Sequence, residues 1–195
     1  MGKATEMTTR EDILARVRSL VWSGQFDEVD VAHEIRARFG ELDDEGKLWL
    51  FDAIKGEFAV KRKEEETWPQ VTDFDRLDRA FAMVGAQGII VLHRAGYDQS
   101  DGMDEVEYAY DEDGGEDSDY AGHCFYTEQD QEGALETAGL YIGFGHHSGS
   151  DVKALKVGKA LRAALEYAGF TVDWKGTLES RLFIKEFRWQ RRSPQ

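Results

Sequence analysis

Over the first 60 positions apolar residues return every three or four places, the period of a helix with one side against a core. Thr8 and Thr9 precede Glu11 and Asp12, the pattern of a capped N-terminus. Ile13, Leu14, Val17, Leu20 and Val21 then share one face until Gly24 stops the helix. A second helix is predicted after Asp27, with Val29, Val31, Ala32, Ile35 and Phe39 inward and Gly40 at its end. A third follows Asp43 with Leu48, Trp49, Phe51, Ile54 and Phe58, and runs out into Lys61-Arg62-Lys63-Glu64-Glu65-Glu66, which reads as a solvated helix end. Three short amphipathic helices predict a small bundle.

Thr67-Trp68-Pro69 breaks this pattern, because Pro69 cannot continue a helix and biases Trp68 toward extended backbone. The expected organisation is a helical segment over residues 1–66 and an α+β domain over 67–195. Beyond Pro69, Thr72 caps a helix carrying Phe74, Leu77, Phe81 and Val84, and Ile89 to Leu92 reads as a buried strand. A turn at Ser100-Asp101-Gly102, a strand from Glu105 to Tyr110 and an acidic loop from Asp111 to Asp119 follow. The order continues with a strand from His123 to Thr127, a helix from Asp130 to Thr137, a strand from Leu140 to Phe144 and a helix from Asp151 to Ala168. Strands at Phe170 to Trp174 and Arg181 to Trp189 complete it. Adjacent strand pairs among the alternating elements predict an α+β class: an N-terminal helical segment followed by a mixed-sheet α/β sandwich. Its expected core is Phe81, Ile89, Val91, Phe125, Leu140, Ile142, Leu155, Leu161, Leu165, Phe170 and Phe183.

Several short motifs in this second part resemble an uncharacterised bacterial domain family of unknown function. They are Thr67-Trp68-Pro69, Thr72-Asp73-Phe74-Asp75-Arg76-Leu77, Gly122-His123-Cys124-Phe125-Tyr126, Gln129-Asp130 and Gly139-Leu140-Tyr141-Ile142-Gly143-Phe144-Gly145. Ala168-Gly169-Phe170, Asp173-Trp174-Lys175-Gly176, Arg181 and Trp189-Gln190-Arg191-Arg192 extend the likeness from Trp68 to Arg192. The resemblance implies a fold neighbourhood and no activity.

Charge changes the picture more than composition does. The chain of 195 residues has a net charge of -15, and the excess sits in its middle. Residues 1–94 carry -5, residues 95–152 carry 16 acids and no Lys or Arg, and residues 153–195 carry +6. A negative field of this kind repels phosphate backbones, so nucleic acid is disfavoured as a partner, and a basic protein partner, a cation or the chain's own basic C-terminal third is the natural complement. A single cysteine, Cys124, excludes an internal disulfide, no zinc-finger spacing is present, and no cofactor fingerprint is seen. The polar start from Met1 to Arg10 and the lack of a long apolar run predict a cytoplasmic protein with no membrane segment. Glu6 stands where an N-myristoylation signal would have Ser or Thr.

Four groups of residues could carry chemistry. Glu128-Gln129-Asp130 leaves a strand and enters a helix, where a carboxylate pair can act as acid, base or metal ligand, although helix capping also accounts for it. His146 and His147 lie in a glycine-rich strand-to-helix loop that could cradle an anion or shuttle a proton, but Ser150 or Asp151 capping and a tight turn explain most of that pattern. His93, Asp98, Asp101, Asp104 and Glu105 offer hard oxygen ligands without the spacing of a calcium loop, and no metal is expected. Lys153, Lys156, Lys159 and Arg162 form a stripe along one helix flank, expected to neutralise the acidic middle segment. Gln129, Asp130, Arg181 and Trp189, from the matching motifs, are the candidate binding residues. The function expected is that of a non-catalytic acidic binding or regulatory protein acting on a basic protein partner, with no cofactor. The alternative is a small metal-assisted hydrolase whose Glu128, Asp130 and His146 or His147 converge at one sheet end.

Overall fold

The computed structural model describes residues 9–194; the readings placed on Thr8 and on the residues before it lie outside them. The class is α+β, with seven helices and a five-stranded mixed sheet among the described residues. The chain divides into two compact units. One takes the residues up to Gln70 together with those from Gln190 onward, and the other is Val71–Trp189.

The first unit holds α1 (Arg10–Ser23), α2 (Glu28–Phe39) and α3 (Asp44–Glu65), begun by the caps Thr9, Asp27 and Asp43. Each cap offers side-chain oxygen to backbone N–H groups that the first turn leaves unpaired. Most of the apolar faces read from the sequence meet in one core of Ile13, Val17, Leu20, Ile35, Ile54 and Phe58, among others, but Leu14, Val29, Leu48 and Phe51, expected to face inward with them, are exposed. The charge run after Phe58 is not wholly solvated. Lys61 continues the spacing of Ile54 and Phe58, so it lies on the inner face and is fully buried. Its ammonium donates to the Val21 carbonyl at 3.1 Å and pairs with Glu65 at 3.5 Å, while burial pushes its pKa down to about 8. The end of the chain closes this unit. Ser193 donates to Glu65 through both its backbone N–H and its hydroxyl at 2.8 Å, and Arg192 donates to the Pro69 carbonyl at 2.8 Å. The Arg191 backbone lies so near Gly24 that a Cβ there would sit 2.5 Å from its carbonyl oxygen.

In the second unit α4 (Asp73–Gly85) precedes β1 (Ile89–Leu92), and α5 (Gln99–Glu112) leads to β2 (Gly122–Phe125). After these come α6 (Glu128–Glu136), β3 (Gly139–Gly145), α7 (Asp151–Tyr167), β4 (Thr171–Asp173) and β5 (Leu182–Lys185). The sheet order is β1-β2-β3-β5-β4, with β1 and β2 parallel and every other pair antiparallel. Helices α4 and α7 pack on each other and on the sheet over the main core, which includes Leu77, Phe81, Leu140, Ile142, Leu161 and Ile184. A smaller cluster of Ala95, Val106 and Phe125 seats α5.

Several sequence expectations change here. The segment Glu105 to Tyr110 is not a strand, and Ser100-Asp101-Gly102 is not a turn: both lie inside α5. Alternating Val106, Tyr108 and Tyr110 mimic a strand, but Asp98 accepts from the N–H groups of Ser100 and Asp101 and starts a helix, whose Val106 packs inward one turn after Gly102. The last strand stops at Lys185 and does not reach Trp189, because Glu186 takes a left-handed backbone (φ 56°) that leaves the ladder. Phe183 lies outside the core, half-buried against Tyr141 at 4.5 Å between ring centres. Leu155 and Val91 are half-buried against the main cluster, and Phe125 belongs to the α5 side.

Candidate functional site

Thr127 ends β2's continuation and caps α6, accepting from the Asp130 N–H, while the Asp130 carboxylate returns bonds from the Thr127 N–H and hydroxyl at 3.1 and 2.9 Å. Asp130 is therefore the third residue of a capping box, not the cap itself. The same carboxylate accepts from Arg181, at 2.8 and 2.9 Å to its two oxygens, and from the Gln99 amide at 3.3 Å. The Arg181 guanidinium also lies over the Tyr141 ring, 4.8 Å from its centre.

Beside it Glu128, nearly buried, pairs with Arg94 at 2.6 Å. Arg94 follows β1 and holds a left-handed backbone (φ 57°), a conformation that only a firmly held surrounding sustains in a residue with a Cβ. The surrounding is visible. The Ala95 N–H donates to the Tyr126 carbonyl at 2.9 Å, Glu128 N–H to the Gly96 carbonyl at 3.0 Å, and Gln129 N–H to the Tyr97 carbonyl at 3.1 Å. The chain after β1 thus runs beside the chain after β2 and carries Arg94 to Glu128. Of the candidates, Glu128, Asp130 and Arg181 come together here with Gln99 and Arg94, which the sequence did not single out. Gln129 is exposed next to them, and Trp189 is elsewhere, in the core against Phe74, Tyr126 and Phe187.

Chemically this is a neutralised cluster. Each carboxylate faces a guanidinium that is always protonated, so the charge of each is paired. Arginines without carboxylates could bind an anion here, but the pairs are closed.

His146 and His147 stand at the opposite end of the sheet. Strand β2 runs antiparallel to β3, so Gly145 pairs with His123 at the start of β2, whereas Glu128 emerges beyond its far end. Convergence of Glu128, Asp130 and His146 at one sheet end is therefore corrected by strand direction. The two histidine rings stack at 4.2 Å, and Tyr110 stacks on His147 at 4.3 Å. His123 is buried under Gly145, where a Cβ would lie 2.6 Å from its Nε2. Burial, reinforced by the nearby His146 and His147, lowers its pKa to about 4. Burial also lowers that of His146, with His147 and Lys153 adding to the effect. Cys124 is buried in the same strand and its thiol is pushed well above its ordinary pKa, so it is inert as a nucleophile.

The remaining acids fall into two kinds. His93 faces Asp78 at 3.3 Å and the Tyr126 hydroxyl at 3.2 Å; Asp98 caps α5; Asp101 accepts from the Tyr97 N–H and Glu105 from the Gly96 N–H. Among the described residues no three His, Cys, Asp or Glu side chains are grouped to hold a metal ion. The outer side of α5 presents Asp104, Glu107, Asp111 and Glu112 together with Asp101 and Glu105, all exposed, around a Tyr108 that is 65% exposed. None of these six pairs with a described Lys or Arg. On the stripe, Arg162 pairs with Glu166 on its own helix at 2.7 Å, and Lys153, Lys156 and Lys159 pair with no described carboxylate, so the expected neutralisation of the middle segment by direct ion pairs is not formed.

Among known proteins, a family model described as a domain of unknown function (DUF6891) matches residues 6–193. No curated protein and no solved structure matches the chain.

Proposed function

The chain belongs to the family of that description, and on its geometry we propose that it is a non-catalytic binding protein whose acidic α5 face meets a basic protein partner. The observation that carries this reading is a contrast. The carboxylates best placed for catalysis, Glu128 and Asp130, are each taken up by an arginine, whereas six carboxylates of α5 are exposed and have no described cation beside them. Like charges crowded on one helix repel, and a basic surface relieves that repulsion on docking. Tyr108 in their midst supplies the aromatic contact area that interface centres favour. No helix is long and apolar enough to cross a membrane among the described residues. A metal-assisted hydrolase finds less support, since its proposed acid–base groups are engaged by arginines and lie across the sheet from His146.

The test is affinity capture from the native host with the intact chain and with Asp104→Ala/Glu107→Ala/Asp111→Ala. The reading expects a captured protein with a basic surface that is released by salt and lost from the triple variant. Identical capture by both forms, or capture only of acidic proteins, would falsify it.

A further inference from the structure

A cavity of about 360 Å³ opens between α7, the end of β3 and the segment leading into β2. We propose that it binds a small organophosphate, a phosphate head on a compact apolar or aromatic body. Its floor is apolar, made by Ile89, Val157 and Ala160. Its charged side comes from Lys153 and Lys156, one helical turn apart on α7. In a chain with 39 acids, these two ammonium groups face the same space without a described carboxylate between them. Their mutual repulsion is relieved by an anion.

His146 and Tyr120 complete the lining. The Ser148 N–H donates to His146 Nδ1 at 3.0 Å, so the neutral ring carries its proton on Nε2 and is a donor. Tyr120 already donates its hydroxyl to Asp113 at 2.6 Å and offers the cavity its ring. Lysines are point charges suited to a phosphate dianion, where planar carboxylates favour arginine forks. The volume is at the lower end for ligand sites, enough for one ring and a phosphate.

Calorimetric titration of the full chain at low ionic strength, with phenyl phosphate, inorganic phosphate and phenol as probes, tests this. Phenyl phosphate is expected to bind more tightly than either fragment, and Lys153→Ala/Lys156→Ala to weaken it roughly tenfold or more. Ala160→Leu, which fills the floor, should weaken phenyl phosphate and spare inorganic phosphate. Lys159→Ala, on the same helix with the same charge but outside the cavity, should leave affinity unchanged. The proposal is overturned if phenyl phosphate does not bind, if it binds no better than inorganic phosphate, or if Lys159→Ala loses as much as the double variant. Co-sedimentation with phosphatidylcholine vesicles containing phosphatidic acid separates the free ligand from a lipid headgroup. Vesicle binding that depends on Lys153 and Lys156, without phenyl phosphate binding, also overturns it.

Discussion

His123 shows how a single side chain can report its surroundings. The folded state holds it neutral down to about pH 4, against an ordinary value of 6.5. As pH falls from 6.5 to 4 the unfolded chain takes up a proton that the folded chain refuses, so stability should fall through that window and the loss should be complete below it. A depression of this size corresponds to ~3 kcal/mol. Denaturant melts across the window should show His123→Phe losing less stability than the wild type by about that amount. Parallel curves for the two proteins would mean that other groups carry the acid sensitivity. Nothing in the sequence around His123 announced this, because its burial comes from Gly145 in another strand. Glu128 and Asp130 were legible as a strand-end pair, but their roles depend on Arg94 and Arg181, brought from 34 residues before Glu128 and 51 residues after Asp130. Local spacing cannot reveal a partner at that separation.

At the level of elements, what could be read was what is local: caps, apolar periodicity and stops. Thr9, Asp27, Thr72 and Ser150 begin the helices that their neighbours predict. The strand assigned to Glu105–Tyr110 failed because alternation over six residues fits one face of a helix nearly as well as a strand, and Gly102 counted as a turn. That glycine instead marks a close approach. A Cβ on Gly102 would lie 2.5 Å from the Phe125 ring and 2.9 Å from the Ala95 carbonyl. Helix propensity alone favours Gly102→Ala by ~1 kcal/mol, whereas overpacking opposes it by ~1 to 3 kcal/mol. We expect net destabilisation in urea melts, and a stabilised variant would show that α5 is not seated on β2 as described.

Across the whole molecule the end of the helical pattern at Pro69 was legible from one residue's chemistry, and every described strand lies beyond it. The return of the chain's last residues to the helical unit was not, since Trp189-Gln190-Arg191-Arg192 carries no periodic signal. Ending the chain after Trp189 removes the Ser193 bonds to Glu65 and the Arg192 bond to the Pro69 carbonyl. Hydrogen exchange should then quicken in α1 and α3 while β3 amides keep their protection; unchanged rates in α1 and α3 would show that the closing segment contributes little. The arrangement also sets an order of events during synthesis. A ribosome delivers α1, α2 and α3 first, yet the Ser193 hydroxyl that meets Glu65 is made 128 residues after it. The bundle is therefore translated before Val71–Trp189 yet completed after it, waiting with its closing contacts unmade while all of those residues are added to the chain.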